Sequence, residues 1–301
     1  MPGKEKCGFL DFPKEAKNEF NRNIQCVDKL TLRSEMVGLQ KTYIVEVPML
    51  KFVGKFYRGP ELKIILDAKW DITGDVNTTH YKRCEYNTNV EQAACEWLLD
   101  AINNGKCGIK NIEMEMIPFK KFTRQKSNVS VATLDINMTD KNYEKGLLEW
   151  WIQRFKNGVG LLRINSTSEE AYHISEGFDI DKGHLQLKGR FVIPLDVFLQ
   201  IKAERIMFED SSESSSINKH YIVGILNNWM NRVKKPKTIT FVANFEETEI
   251  GEKVFEIMDE NFIIDGVLPG TWWGTISEKN TDITFSHNGN TFEMKIYDSP
   301  E

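Results

Sequence analysis

Acid–base and metal chemistry need histidines, cysteines and carboxylates at spacings that a fold can bring to one point. The five histidines, His80, His173, His184, His220 and His287, form no HExxH run and no other ligand spacing, so each reads as a surface or hydrogen-bonded residue. The cysteines Cys7, Cys26, Cys84, Cys95 and Cys107 are irregularly placed and make no CxxC pair, which leaves a zinc ribbon or a thioredoxin-like motif unsupported. Cys95 falls on an apolar helical stripe and reads as a small core residue. Carboxylates do come in pairs, namely Asp179 with Asp181, Glu169-Glu170 and Glu246-Glu247. A glycosidase sets its two carboxylates by separation in space rather than in sequence. The Ser, Thr and Lys around these pairs nevertheless mark solvated loops and helix starts. The chain has no G-x-S-x-G elbow, no GxGxxG and no P-loop. The reading is a non-enzymatic protein with no cofactor and no metal, and an enzyme with an unrecognised site in an α/β domain is the alternative.

Aromatic residues offer binding surface instead of chemistry. Trp97, Trp151 and Trp229 stand at equivalent places on helical stripes and read as core. Trp150 and Trp151 point about 100° apart on a helix, so Trp150 is a candidate boundary residue. Trp272 and Trp273 lie between Gly270 and Gly274. In an extended segment adjacent side chains face opposite ways, so one of the pair is a candidate interface anchor. The run Glu209–Ser216 (EDSSESSS) reads as a polar loop whose serines could be phosphorylated.

Composition narrows the setting. The chain has 301 residues, enough for a sizeable core, with 41% apolar residues and a net charge of −5. Lys and Arg occur only in short pairs such as Lys120-Lys121 and Lys234-Lys235, which fit helix ends better than a nucleic-acid surface. No segment approaches the ~20 apolar residues of a membrane span, and the first residues lack a signal-peptide core. The expected setting is a reduced cytoplasmic or nuclear compartment, where the sequons at Asn77, Asn128, Asn137 and Asn165 would be inert.

The elements that would position any site read as helix followed by strand. In "NVEQAACEWLLDAINNGKCG" Val90, Ala94, Trp97, Leu98, Ala101 and Ile102 keep helical spacing, and "IKNIEMEMI" then alternates with period two. The phrase returns as "KNYEKGLLEWWIQRFKN" with "VGLLRIN", as "IPLDVFLQI" with "ERIMFED", and as "SINKHYIVGILNNWMNRVKK" with "TITFVANF". Each helix has one apolar stripe that stacked units could bury together, so the expectation is an irregular, leucine-rich-repeat-like α/β array. Residues 10–40 are expected to form short helices, from apolar residues at Phe20, Ile24 and Val27 and again at Leu30, Met36 and Leu39. Asn288-Gly289 between "DITFS" and "NTFEMKIY" predicts a C-terminal antiparallel hairpin.

In this order the elements resemble the nematode F-box proteins that carry an F-box-associated domain. The resemblance covers most of the chain as a divergent pattern. It rests on Glu96-Trp97-Leu98, on Glu149-Trp150-Trp151-Ile152, on the strand–helix–strand run His184–Ser211, on "IVGILNNWMNRVKKPKTITF" and on the polar last hairpin. At the N-terminal side Phe12-Pro13 and "KLTLRSEM" (Lys29–Met36) resemble a degenerate F-box, with Glu35 where that family is basic. Modules of this kind are also similar to those of the nematode pals family, regulators of the response to intracellular pathogens and protein stress. The resemblance implies an F-box-like helical segment over 1–45 and an F-box-associated-like domain over 46–301. It also implies a docking face of Phe12, Pro13, Phe20, Ile24, Val27, Leu30 and Leu32. The implied partner is the cullin–RING ubiquitin ligase adaptor, or a paralogue or other regulatory target where the F-box has decayed.

Overall fold

The computed structural model describes residues 26–48, 52–59, 64–70, 80–86, 108–115, 130–138, 158–167, 170–180, 183–210, 217–230, 236–243, 262–268, 271–278, 281–288 and 290–298, together with Val90, Glu91, Ala93, Ala94, Trp97, Leu98, Ile152 and Phe155. These residues are mostly strand. The chain divides into two compact units, Met1–Gly160 and Leu161–Glu301.

In the first unit the strands are β1 (Cys26–Val37), β2 (Gln40–Val47), β3 (Phe52–Arg58), β4 (Ile64–Trp70), β5 (His80–Tyr86), β6 (Gly108–Met114) and β7 (Val131–Met138). Their order is β5-β4-β3-β2-β1-β6-β7. The run from β1 to β5 is an antiparallel meander, and β6 and β7 add to β1 in parallel. The core face follows the pleat: Leu32 of β1 aligns with Val45 of β2, Leu30 and Leu32 align with Ile112 and Met114 of β6, and all are buried. Val90, Glu91, Ala93, Ala94, Trp97 and Leu98 are helical, and of these Ala93, Ala94, Trp97 and Leu98 are buried.

In the second unit the strands are β8 (Val159–Ser166), β9 (Tyr172–His173), β10 (His184–Lys188), β11 (Phe191–Val192), β12 (Arg205–Asp210), β13 (Thr238–Ala243), β14 (Phe262–Leu268), β15 (Thr271–Glu278), β16 (Thr281–Asn288) and β17 (Thr291–Asp298). Among the described residues two helices, α1 (Leu195–Phe198) and α2 (Lys219–Met230), accompany them. The sheet order is β8-β10-β12-β13-β17-β16-β15-β14, parallel through β13 and antiparallel beyond it, with β9 and β11 as a separate parallel pair. Apolar residues run in rows across the strands, such as Ile164, Leu187, Phe208, Phe241 and Phe292. At α2, Asn218 caps the helix by accepting from the Tyr221 backbone N–H at 3.1 Å, and Tyr221 meets Phe198 and Phe241 edge-on.

This corrects the expected α/β array. Among the described residues, helices α1 and α2 stand between β11 and β12 and between β12 and β13, and strands of a mixed sheet make up most of the rest. The expected N-terminal helices are overturned where they can be followed, because Cys26–Val37 and Gln40–Val47 are paired strands. From Lys29 to Glu35 polar and apolar residues alternate except at Ser34, and that period of two outweighs the looser helical spacing. Val45 and Glu46, where the expected two-domain division falls, are neighbours inside β2. The last hairpin is present but belongs to a four-stranded meander, and Asn288 pairs with Thr291, so its turn lies one residue beyond the expected Asn-Gly.

Candidate interaction surface

The end of the β1–β2 hairpin extends beyond its neighbours in the sheet. The β1/β6 pairing stops at Leu32 with Met114, and the β2/β3 pairing stops at Tyr43 with Phe56. Yet β1 and β2 remain paired with each other to Val37 and Gln40, so Gly38 and Leu39 form the turn. Gly38 has φ 64, the left-handed conformation that a tight hairpin turn requires. The arm from Arg33 to Val37 is roughly 16 Å long at ~3.3 Å per residue.

Its tip is apolar. Met36 is 64% exposed, Val37 58% and Leu39 102%, and these are the large apolar residues left open among the described residues. Three exposed large apolar residues gathered at one hairpin tip mark an interaction site more often than scattered single residues do. Beside the tip lies a shallow depression of about 460 Å³, lined by Leu39, Gln40, Lys41, Tyr43, Arg58, Val90 and Glu91. The Tyr43 hydroxyl donates to Glu91 Oε2 at 3.3 Å, Lys41 Nζ stands 5.5 Å from the Tyr43 ring, and Gln40 Nε2 donates to the Arg58 carbonyl.

The root of the arm is tied by charge. Arg33 donates to Glu46 at 3.0 Å and to Glu35 at 3.2 Å, and Glu35 also meets Lys55 Nζ at 3.8 Å. The hydrogen bond to Glu46 is the main cause that raises the Arg33 pKa above its ordinary value. Ile44, fully buried, lies in register between Arg33 and Lys55, whose long stems flank it.

The sequence-derived candidates fall differently. Leu30 and Leu32 are 1% and 0% exposed, so they hold β1 in the core and present no docking face. Val27 stands on β1 in register with Ile109. Phe12, Pro13, Phe20, Ile24 and Trp150 lie outside the described residues. Trp272 and Trp273 stand on β15, in register with His287 and Ser286 of β16 and with Val267 and Gly266 of β14. Asp179 pairs with Lys202 at 3.0 Å, and His287 is buried on β16. Among the described residues no group of His, Cys, Asp and Glu converges as a metal site would require, and no helix is long and apolar enough to cross a membrane. Sequence reasoning missed Val37, Lys41 and Arg58, and placed Met36 and Leu39 at helical spacing in a short helix. The available signal was Gly38, set between the largely alternating run "KLTLRSEMV" and the β-branched, aromatic run "QKTYIVEV".

Comparison of the chain with models of known families, with characterised proteins and with solved structures finds no match.

Proposed function

We propose that this chain is a non-enzymatic protein-interaction adaptor or regulator that engages its partner through the β1–β2 arm. The observation that carries this reading is the exposure of Met36, Val37 and Leu39 together at the end of one hairpin, the large apolar residues left open among the described residues. Holding these residues in water costs solvation free energy that a partner's apolar surface would relieve, at about 25 cal/mol per Å². The hairpin is ordered by cross-strand bonds and ion pairs, so binding loses little conformational freedom.

The partner classes remain those the family resemblance implies: a cullin–RING ligase adaptor, a paralogue or a regulatory target in a pathogen or protein-stress response. Docking is assigned to the arm, because Leu30 and Leu32 are enclosed. The test replaces Met36, Val37 and Leu39 together by serine and compares the proteins co-purifying with each form. Loss of a stoichiometric partner with an unchanged melting curve is expected. An unchanged set of partners would sink the arm as the interface. Light scattering on the chain mixed with purified cullin–RING adaptor then separates the classes, since a one-to-one complex marks a ligase receptor and two separate species mark a regulator.

A further inference from the structure

The arm has a second property besides its apolar tip, a strand edge left unpaired among the described residues. In a hairpin closed by Val37 and Gln40 across a two-residue turn, Val37, Glu35 and Arg33 direct their backbone N–H and C=O groups at β2. Leu32, Ser34 and Met36 therefore direct theirs away from β2, toward the side where β6 lies. Two contacts agree with this assignment: the Leu32 carbonyl accepts from the Glu115 N–H at 2.9 Å, and the Ser34 N–H donates to Glu115 Oε2 at 3.2 Å. Beyond Glu115, the Ser34 carbonyl and the Met36 N–H and carbonyl meet no partner among the described residues.

We propose that an extended apolar segment of another protein adds to β1 as a strand along Ser34–Val37, beside the exposed tip. This rests on the arm being the interaction surface and names what that surface takes. Three features specify the segment. The outward donor and acceptors of Met36 and Ser34 match the spacing of a strand and not of a helix. Met36 on one face and Val37 on the other leave apolar neighbours on both sides of an added strand. Glu35 is already paired with Arg33 and Lys55, so along Glu35–Val37 its charge is not left to attract a charged segment. The carboxylate of Glu115 caps the Ser34 N–H, which sets where the added strand must stop.

The test uses the full chain and a short alternating Val/Thr peptide whose N-methyl groups leave one hydrogen-bonding edge free. A second peptide, methylated on both edges, is the control. With most sites occupied, exchange of the Met36 amide, read by NMR, should slow about tenfold with the first peptide and be unchanged with the second. Met36→Pro removes the outward N–H at an edge position where proline is tolerated, and should abolish the effect while leaving the fold intact. Equal effects of the two peptides, or none, would overturn strand addition, as would retained binding by a folded Met36→Pro chain. Binding lost through the serine variants but kept by Met36→Pro would leave the apolar-tip reading standing and remove the strand-addition reading alone. A Met36 amide already protected without peptide, in a chain that light scattering shows to be a dimer, would assign the edge to a second copy and refute the proposal.

Discussion

β1 and β10 are both central strands with neighbours on either side, yet they end in opposite ways. β10 is paired along its whole length, from His184 to Lys188, with β8 on one side and β12 on the other. β1 is held on both sides only through Leu32 and then runs on with β2 alone. Each strand is followed by a glycine of positive φ. Gly189, at φ 109, is enclosed: a Cβ there would lie 2.1 Å from the Ser166 carbonyl oxygen, while its own N–H donates to the Glu209 carbonyl at 2.8 Å. Gly38, at φ 64, has nothing within 4 Å of an added Cβ. Burial in this protein is thus decided by where the neighbouring strands stop, more than by the residue types of the strand itself.

The sharpest way to break that contrast is to put a methyl group at each glycine. Gly189→Ala should cost ~2–6 kcal/mol, adding backbone strain of ~1–3 kcal/mol to overpacking of ~1–3 kcal/mol against a backbone atom that cannot rotate away. Gly38→Ala should cost only the left-handed penalty of ~1–2 kcal/mol. Urea unfolding of the two variants measures the difference. Equal losses would mean that the end of β10 is as open as the arm.

Within β1 the same contrast can be read from side chains. Leu32→Ala opens a cavity in the first unit and should cost ~2–5 kcal/mol. Met36→Ala, four residues along on the same face, should stay within ~0.5 kcal/mol because its side chain is already in water. A large loss at Met36 in thermal melts would show that the arm is covered in the free protein.

This contrast also explains which parts of the fold the sequence made legible. β6, β8, β12 and β13 announce themselves by β-branched or alternating runs, and α2 by its apolar stripe with Pro236 beyond it. Those signals are local. In β1 the alternation weakens at Ser34, and Ile24, Val27 and Leu30 suggest a helix when read alone. The arm is less legible still, since its exposure follows from β6 ending at Met114, a partner far along the chain. No spacing within Arg33–Leu39 records that. The meander β14–β17 was partly visible, because Asn288-Gly289 marked one of its turns while β14 and β15 carried no equally strong hairpin signal.

The closed side of the comparison predicts a pH effect. Tyr221 lies against Phe198 and Phe241, and its hydroxyl is buried without a hydrogen-bond partner among the described residues. Burial disfavours the phenolate and pushes the Tyr221 pKa well above the ordinary value of about 10. The folded chain therefore holds the proton more tightly than the unfolded chain. Stability from this group is fully present below about pH 10 and is lost as the pH rises beyond it. Tyr221→Phe should leave stability at neutral pH equal or slightly higher, since no hydrogen bond is lost, and should flatten the decline above pH 10. A variant whose alkaline decline matches the parent chain would show that Tyr221 is hydrated in the folded state.

The smallest effect belongs to the root of the arm. Arg33, Glu35 and Glu46 have side chains about one-third exposed, at 34%, 35% and 28%. Partly solvated pairs of this kind contribute ~0–1 kcal/mol, so Glu46→Gln should lower stability by less than ~1 kcal/mol at low salt and by less still at high salt. Arg33→Ala removes more than the charge, because the stem of Arg33 flanks buried Ile44 and that cover would be lost as well. Salt titration of both variants separates the two contributions. The Glu46→Gln deficit should vanish at high salt, while part of the Arg33→Ala deficit should persist. If both vanish, the arm is rooted by charge alone, and Ile44 owes its burial to something other than Arg33.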